Sequence, residues 1–314
     1  MNNQFFINRE HETRFFAVLL VALLLLLVVS LVSGYKVKRD DNSVPTQTVI
    51  KTFPEVQLIA KSAYVYDARN KTVLYAYNEN ESLPLASISK VMTALVASSN
   101  GRPSDTVSVT KEALDITGDS GLYRDEKWSL KDILDFSLIT SSNDGMHAVA
   151  LAVGALSKPN PLPGEAIQDF VSKMNTKSEE LGLTNTYFIN ETGLDESLHE
   201  AGAYSSVKDI NTLMEYVLTY YPDLLEVTRE KGISIKSLDD RTHVATNTNS
   251  IVGTIPGLLA SKTGFTDLAG GNLTIVFDPE IGRPIIVTVM GSTGEGRFED
   301  VRALVDATME YIEN

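Results

Sequence analysis

The chain of 314 residues is 43 % hydrophobic and 22 % charged, which fits one or two globular domains and excludes a fibre or a wholly disordered chain. Its formal net charge of −14 repels polyanions, so we expect no nucleic acid partner. Because the chain has no cysteine, disulfides, thiolate metal sites and cysteine nucleophiles are excluded.

An apolar stretch near the N-terminus predicts a membrane segment. Residues 15–32 are interrupted only by Ser30 and, as a helix, would reach roughly 27 Å, close to the thickness of the hydrocarbon core of a bilayer. A cleavable signal peptide has a shorter apolar stretch. We therefore predict a short tail at residues 1–14 and a transmembrane anchor at residues 15–34, with a removed signal as the alternative.

A linker and then a folded domain follow this segment. Residues 35–53 are mostly polar, contain one proline and show no helical period, which predicts a linker. The domain, residues 54–314, begins and ends with strand patterns. The run "SAYVYDARNKTVLYAY" predicts a hairpin around Arg69 and Asn70, and the runs "GNLTIVFD" and "RPIIVTVMG" predict two late strands.

Helical patterns fill the middle of the domain. Ser129 and Asp132 form a capping box ahead of "LKDILDFSLI", and "AIQDFVSKMNTKSEELGL", "SSVKDINTLMEYVLTYY" and the final "RFEDVRALVDATMEYIE" have helical periodicity. Strands from both chain ends with helices between them predict a mixed α/β (α+β layered) domain. We expect a mostly antiparallel sheet, built from both chain ends and packed on helices, with an inserted helical subdomain.

The pattern Ser-x-x-Lys, which can pair a nucleophile with its base, occurs four times, and its surroundings single out Ser87 with Lys90. Ser33 lies at the edge of the predicted membrane segment. Ser108 lies in a strand pattern, where positions i and i+3 face opposite ways. Ser205 opens a helix pattern, where it fits an N-cap followed by a solvated lysine.

Apolar neighbours predict that the turn with Ser87 and Lys90 is buried. Residues three apart on a helix are neighbours, and Leu85, Ile88 and Val91 surround the pair. Burial lowers the pKa of a lysine towards that of a free-amine base. The N-terminus of a helix also presents N–H groups and a positive dipole to an attacking serine and its oxyanion.

Two further motifs carry polar groups at predicted junctions. "TSSNDG" places Ser141 and Asn143 where one helix ends and another begins. In "ASKTGFTD", Gly264 lets a ligand lie close to the backbone, Thr263 can donate a hydrogen bond to a carboxylate, and Lys262 adds positive charge. Each motif by itself is also typical of a plain loop with an N-cap or of a hairpin turn with an exposed lysine.

The three motifs occur in order, with 54 residues from Ser87 to Ser141 and 119 from Asn143 to Lys262, and this trio is typical of class A β-lactamases and penicillin-binding proteins. From about residue 56 to 312 the chain resembles low-molecular-mass penicillin-binding proteins of the D-alanyl-D-alanine carboxypeptidase family. The segments "LPLASISKVMTALVA", "YSSVKDI" and "KTGFTDLAGGNL" carry the same resemblance. It implies a β-lactamase/transpeptidase-like fold.

The resemblance also implies catalytic roles. Ser87 would attack the carbonyl of the penultimate D-Ala, with Lys90 as its base. Ser141, held near Lys90 and Lys262, would relay a proton to the departing D-Ala amine. Asn143 would orient Lys90 and the substrate amide. The backbone N–H groups of Ser87 and Phe265 would form the oxyanion hole.

The third motif would bind the substrate. Thr263 and Arg297 would hold the terminal carboxylate, beside Lys262, Gly264 and Phe265. The peptide would add a strand along the strand of Lys262, which must therefore be an edge strand. Water would then hydrolyse the acyl-enzyme, and β-lactam antibiotics would acylate the same serine. No metal or organic cofactor is expected, and the four histidines show no ligand spacing.

The implied substrate also determines the expected location. Peptidoglycan pentapeptides ending in D-Ala-D-Ala lie outside the cytoplasmic membrane. We therefore expect a single-pass N-terminal anchor at residues 15–34 with residues 35–314 on the outer face.

Other readings of the same motifs stay open. A class A β-lactamase needs a glutamate that activates the deacylating water, usually in Glu-x-x-x-Asn. The nearest match after the second motif, Glu165, has Asp169 four places on. A D,D-endopeptidase would use the same site on cross-links, and a catalytically silent cell-wall binder would share the fold.

Overall fold

The computed structural model describes the backbone of residues 4–33, 51–118, 120–157 and 160–313. The chain divides into two compact units, residues 1–50 and residues 51–314. In the first unit, helix α1 spans Gln4–Ser33, so it begins inside the predicted tail, and neither proline nor glycine interrupts it. The predicted linker at residues 35–53 lies outside the described residues as far as residue 50.

The membrane prediction concerns α1. Its described side chains are those of residues 14, 15 and 17–29. In this described part of the chain, no helix is long and apolar enough to cross a membrane. This finding does not support the anchor predicted at residues 15–34.

Strands and helices share the second unit. The described strands are β1 (Ser62–Asp67), β2 (Thr72–Tyr77), β3 (Leu83–Pro84), β4 (Thr106–Ser108), β5 (Lys127–Ser129), β6 (Tyr187–Phe188), β7 (Ala203–Ser205), β8 (Gly232–Lys236), β9 (Thr242–Thr246), β10 (Leu258–Thr266), β11 (Gly270–Phe277) and β12 (Ile285–Ser292). The described helices are α2 (Lys90–Asn100), α3 (Lys111–Leu114), α4 (Leu130–Thr140), α5 (Asn143–Gly154), α6 (Pro163–Glu180), α7 (Val207–Tyr220) and α8 (Gly296–Glu313).

The main sheet joins the two ends of the domain, as predicted. Among the described residues its order is β10–β11–β12–β1–β2, and every pair is antiparallel. Val65 of β1 pairs with Val287 of β12, and the predicted hairpin connects β1 to β2. Lys262 lies on β10 opposite Thr274 of β11. Because β10 ends the order, the strand of the third motif is an edge strand, as the resemblance required.

Each face of the sheet packs against its own apolar layer. Successive residues of a strand point to opposite faces, so Val65 packs with Val301 and Leu304 of α8, whereas Tyr64 packs with the layer that includes Ile210 of α7. Helices α2, α4 and α5 continue this second layer into the helical subdomain. Each fully buried aliphatic side chain contributes roughly 1.5–3 kcal/mol, so these layers hold the sheet between the helices.

Two caps determine how the second motif is presented. The hydroxyl of Ser129 accepts a hydrogen bond from the Asp132 N–H (3.1 Å) at the start of α4, which confirms the predicted cap. Helix α4 ends at Thr140, and the residue after it, the C-cap Ser141, has a left-handed φ of 61°. Ser142 then caps α5 by accepting from the Gly145 N–H at 2.9 Å. The two helices therefore meet in a tight turn at the second motif.

The pair Ser205 and Lys208 differs in detail from its prediction. The N-cap of α7 is Ser206, whose hydroxyl accepts from the Asp209 N–H at 3.2 Å. Ser205 belongs instead to β7, where it is buried and its hydroxyl lies 2.7 Å from that of Thr186. The cap lies one residue later because Ser205 is the last paired residue of the strand.

Candidate active site

Ser87 lies in a 3-10 turn, Ala86–Ser89, that leads directly into α2. The residue before it, Ala86, has a φ of 49°, in the left-handed region that costs a non-glycine residue free energy. Hydrogen bonds from distant parts of the chain hold the preceding segment: the Leu85 N–H donates to the Ala203 carbonyl (2.9 Å), and Asn272 Nδ2 donates to the Leu85 carbonyl (3.0 Å). The segment that leads into Ser87 is therefore fixed through both main-chain polar groups of Leu85.

Lys90 is the centre of the site. Its side chain is fully buried, and its Nζ donates hydrogen bonds to three oxygens, each at 2.7 Å. The acceptors are Ser87 Oγ, Asn143 Oδ1 and the main-chain carbonyl of Thr192. An amine bonded to the hydroxyl of a serine is the arrangement that nucleophile activation requires.

The environment of Lys90 brings the charged and neutral forms of its amine close to balance near neutral pH. Loss of hydration on burial lowers the pKa of Lys90 to about 7, while the nearby charges of Glu191 and Asp144 act in the opposite direction. A base whose pKa lies near neutrality combines availability with proton affinity. The prediction from apolar neighbours, that burial would give a free-amine base here, agrees with this environment.

Lys262 forms a second lysine–serine pair across the site. Its Nζ donates to Ser141 Oγ (2.8 Å) and to the Thr263 carbonyl (2.9 Å), and its side chain is 1 % exposed. Burial lowers the pKa of Lys262 well below its ordinary value, and the positive charges of Lys90 and Arg297 act in the same direction. The structure therefore brings the first, second and third motifs together.

Asn143 connects Lys90 to a loop that no motif covers. Its Oδ1 accepts from Lys90 Nζ, and its Nδ2 donates to the Thr117 carbonyl at 2.9 Å. The adjacent Gly118 has a φ of 105°, and a Cβ there would lie 3.0 Å from Asn143 Nδ2. The amide of Asn143 is thus held at both ends.

The remaining predicted residues lie on β10 or, in the case of Arg297 of α8, against it. Thr263 Oγ1 lies 2.6 Å from Thr248 Oγ1, and the aromatic ring of Phe265 is half exposed. The guanidinium of Arg297 donates to the Gly264 carbonyl at 2.7 Å and lies 5.9 Å from the ring centre of Phe265. Arg297 therefore supports the backbone of β10 and also brings a positive charge beside Lys262.

Gly264 lies where β10 contacts the turn that contains Ser87, and replacing it is expected to disturb both. A Cβ at this position would lie 2.8 Å from the Leu85 carbonyl oxygen and 3.2 Å from Ala86 Cβ and Ser87 N. For Gly264→Ala we expect a loss of stability of about 1–3 kcal/mol. We also expect acylation of Ser87 to slow about 100-fold, because the turn must shift.

Thermal unfolding and the rate of covalent labelling by a β-lactam measure these two effects. Gly164→Ala is the matched control, since a Cβ there meets no atom within 4 Å. Labelling of Gly264→Ala at the unsubstituted rate would contradict the close approach of β10 to Ser87.

Sequence reasoning missed the main-chain acceptors and one close histidine–carboxylate pair. The carbonyls of Thr117 and Thr192 have no side-chain signature, so only the folded backbone reveals them. His147 Nδ1 lies 2.6 Å from Glu191 Oε1. In the described chain, no group of three or more His, Asp or Glu side chains is arranged to hold a metal ion.

Comparisons with known proteins agree with this geometry. The chain is 31 % identical over 260 residues to D-alanyl-D-alanine carboxypeptidase DacF of Bacillus subtilis, an alignment that covers 81 % of this chain and 63 % of that protein. It is also 31 % identical over 246 residues to a D-alanyl-D-alanine endopeptidase of Pseudomonas aeruginosa, covering 76 % and 73 % of the two chains. The chain thus spans less than two thirds of the length of the first of these relatives.

Solved structures share the fold. Penicillin-Binding Protein D2 of Listeria monocytogenes in its cefotaxime-bound form superposes with a TM-score of 0.67 at 27 % identity, covering 81 % of this chain and 98 % of that one. A Streptomyces DD-transpeptidase mutant gives a TM-score of 0.73 at 22 % identity, with the same coverage of both chains. A family model described as D-alanyl-D-alanine carboxypeptidase matches residues 47–294. The chain belongs to the D-alanyl-D-alanine carboxypeptidase family.

Proposed function

We propose that this protein is a serine-type D-alanyl-D-alanine carboxypeptidase that removes the terminal D-Ala of peptidoglycan stem peptides through an acyl-enzyme on Ser87. The observation that carries the proposal is the hydrogen bond of 2.7 Å between Ser87 Oγ and the fully buried amine of Lys90. Lys262 and Ser141 supply a second proton-transfer pair opposite the first. Names of the relatives support both the reaction and its penicillin-binding character.

Acylation begins with proton transfer. The neutral amine of Lys90 takes the proton of Ser87 Oγ as this oxygen attacks the carbonyl carbon of the penultimate D-Ala. The backbone N–H groups of Ser87 and Phe265 stabilise the oxyanion, an effect worth about 3–4 kcal/mol in comparable sites. Asn143 holds Lys90 in line and binds the substrate amide.

Departure of the terminal D-Ala requires a proton on its nitrogen. Ser141 relays this proton: it gives its own to the nitrogen and takes up the one that Lys90 removed from Ser87, while its hydrogen bond with Lys262 keeps its oxygen in place. Thr263 and Arg297 bind the carboxylate of the leaving residue. The guanidinium of Arg297 balances its negative charge, and the hydroxyl of Thr263 fixes its position. A water molecule then hydrolyses the ester on Ser87, and this sequence of steps uses no metal or organic cofactor.

The edge position of β10 supports a binding mode for the peptide. An extended stem peptide adds a strand beside β10, so that main-chain hydrogen bonds give affinity. The exposed ring of Phe265 flanks this edge. β-Lactam antibiotics occupy the same place and acylate Ser87 as inhibitors.

The rate of acylation by benzylpenicillin is expected to rise with pH and to level off above about pH 7, the pKa to which burial brings Lys90. Only the neutral amine accepts a proton, so below this pKa the rate falls about tenfold for each pH unit. This fall of the rate below about pH 7 is the acid limb of the pH profile. Rates of adduct formation measured over a series of pH values test it. A rate independent of pH in the acid range would contradict Lys90 as the base.

Intact-mass spectrometry of the full chain during incubation with benzylpenicillin tests the proposed function. We expect a lasting single adduct that maps to Ser87, and release of D-Ala from a pentapeptide ending in D-Ala-D-Ala. A short-lived adduct with hydrolysed drug would favour a β-lactamase. No adduct and no released D-Ala would contradict the proposal and favour a catalytically silent binder.

A second candidate is a D,D-endopeptidase that cuts peptidoglycan cross-links with the same residues. Relatives of Haemophilus influenzae, Escherichia coli and Pseudomonas aeruginosa that are 28–31 % identical carry this name. Cross-linked muropeptide dimers and uncross-linked pentapeptides, offered in parallel, separate the two activities. Cleavage of dimers with pentapeptides left intact would assign the endopeptidase.

The proposed substrate also supports an extracytoplasmic location. From the apolar sequence of residues 15–32 alone, we propose that residues 15–34 anchor the protein in the cytoplasmic membrane. The catalytic domain would then face outwards, where stem peptides occur. Fractionation of cells, followed by protease treatment of intact spheroplasts, tests this arrangement. Digestion of residues 51–314 only after lysis would contradict it.

A further inference from the structure

A close pair of side chains, the partly buried His147 and the buried Glu191, lies next to the acceptors of Lys90, and the proposed reaction leaves it without a role. His147 Nδ1 and Glu191 Oε1 are 2.6 Å apart. The side chains are 19 % and 2 % exposed, respectively. An ionised Glu191 carboxylate can only accept a hydrogen bond, so with that form His147 pairs through its Nδ1–H tautomer. Burying a carboxylate costs free energy of desolvation, and a single hydrogen-bond donor offsets only part of it. This cost suggests that the pair has a function.

The pair connects the two elements that bind Lys90. His147 lies one turn after Asn143 on α5, and Asn143 Oδ1 accepts from Lys90 Nζ. Glu191 directly precedes Thr192, whose carbonyl also accepts from Lys90 Nζ. The His147–Glu191 bond therefore links the side-chain acceptor of Lys90 to its main-chain acceptor.

A third contact fixes the same loop to the helix of the lysine. Thr93 Oγ1, one turn after Lys90 on α2, donates to the Glu191 carbonyl at 2.5 Å. Gly193 approaches the nucleophile's turn so closely that a Cβ there would lie 2.0 Å from the Ala86 carbonyl oxygen. The position of the Glu191 carboxylate relative to Lys90 is thus set by three separate elements.

The charges around Lys90 are unequal on its two sides. Negative charge comes from Glu191 and from Asp144 in the first turn of α5, and both raise the pKa of Lys90 against the effect of burial. On the other side lies Lys262 of β10, whose own pKa is lowered by burial and by the positive charges of Lys90 and of Arg297 on α8. Glu191 is the larger of the two anionic influences on Lys90.

We propose that Glu191, held by His147, is a positioning residue that keeps Lys90 aligned with Ser87 and supplies the negative charge that balances the proton on Lys90. This inference rests on the proposed function, since it concerns the base of that reaction. An opposite charge nearby favours the charged form of an amine. Without it, Lys90 would lose its proton more readily and would also be a weaker base.

The test is the pH profile of benzylpenicillin acylation in the full chain carrying Glu191→Gln, which keeps the shape and removes the charge. We expect the acid limb to move to lower pH by about one unit. Because a weaker base accepts the proton of Ser87 less readily, the plateau rate should fall a few-fold. A residue that only stabilised the fold would lower the plateau without moving the limb.

A second buried pair provides the matched control. His243 Nε2 lies 2.9 Å from Glu126 Oε1, both side chains are nearly inaccessible, and neither is among the charges that act on Lys90. We expect Glu126→Gln to leave the acid limb in place. An equal movement of the limb in Glu126→Gln would overturn the inference.

Glu191→Asp keeps the test decisive if Glu191→Gln does not fold. The aspartate side chain is shorter by one methylene, so its carboxylate lies differently against His147 and Lys90. For this variant we expect a smaller movement of the acid limb in the same direction. An unmoved limb, in whichever variant folds, would overturn the inference while leaving the proposed function intact. Failure of the unsubstituted chain to form any adduct would instead remove the proposed function itself.

Discussion

A chain carrying Ser87→Ala is expected to form no covalent adduct with benzylpenicillin and to release D-Ala at least about 10⁴-fold more slowly than the unsubstituted chain. The reason is chemical, because the substitution removes the oxygen that becomes acylated and leaves Lys90 without a proton to accept. Stability should change little, since Ser87 is only partly buried. Intact mass, D-Ala release and thermal unfolding together measure these effects.

The same turn contains a suitable control. Ser89 is buried and, among the described residues, its hydroxyl has no hydrogen-bond partner. Ser89→Ala removes an equivalent atom two residues away, and we expect it to leave the adduct on Ser87 intact. An adduct that persists in Ser87→Ala, or that disappears equally in Ser89→Ala, would show that the nucleophile has been assigned wrongly.

Replacing the base should be nearly as damaging. For Lys90→Met we expect acylation to slow about 10³-fold, within the range that general bases contribute. The residual rate should also lose its acid limb near pH 7, because the group that produces it is gone. Methionine fills a similar volume, and removing a buried amine offsets the loss of its hydrogen bonds to Asn143 and Thr192, so the fold should persist.

Lys208 provides the control for this substitution, because it occupies the same place in another Ser-x-x-Lys pattern but is exposed. Lys208→Met should acylate at the unsubstituted rate with an unchanged acid limb. A Lys90→Met chain that kept its limb near pH 7 would require another titrating group and would remove Lys90 from the mechanism.

Local patterns predicted much of the fold. The hairpin of β1 and β2, the cap at Ser129 and the closing helix α8 each depend on residues adjacent in sequence, and each is confirmed. The hairpin of β8 and β9 was missed, although Ile233 and Ile235 alternate with polar residues as a half-buried strand should. The two-residue strands β3 and β6 carry too little pattern to be recognised.

Site residues that act through their side chains could be predicted from the sequence. Groups that act through the backbone could not. The spacing of Ser87 and Lys90 already placed them one turn apart, and the structure gives their hydrogen bond. That Lys262 would meet Ser141, 121 residues away, followed from the resemblance alone. The left-handed φ of Ala86 and the carbonyl of Thr192 depend on contacts between distant segments, which no local pattern records.

Each of the two buried lysines of the candidate site donates one of its hydrogen bonds to a main-chain carbonyl, of Thr192 for Lys90 and of Thr263 for Lys262. No substitution of a side chain deletes such an acceptor. Substitutions of Thr192 should therefore leave the hydrogen bond to Lys90 in place, provided that the backbone keeps its path. Variants at position 192 should consequently retain acylation by benzylpenicillin far more often than variants at Asn143, where the acceptor is the side chain itself.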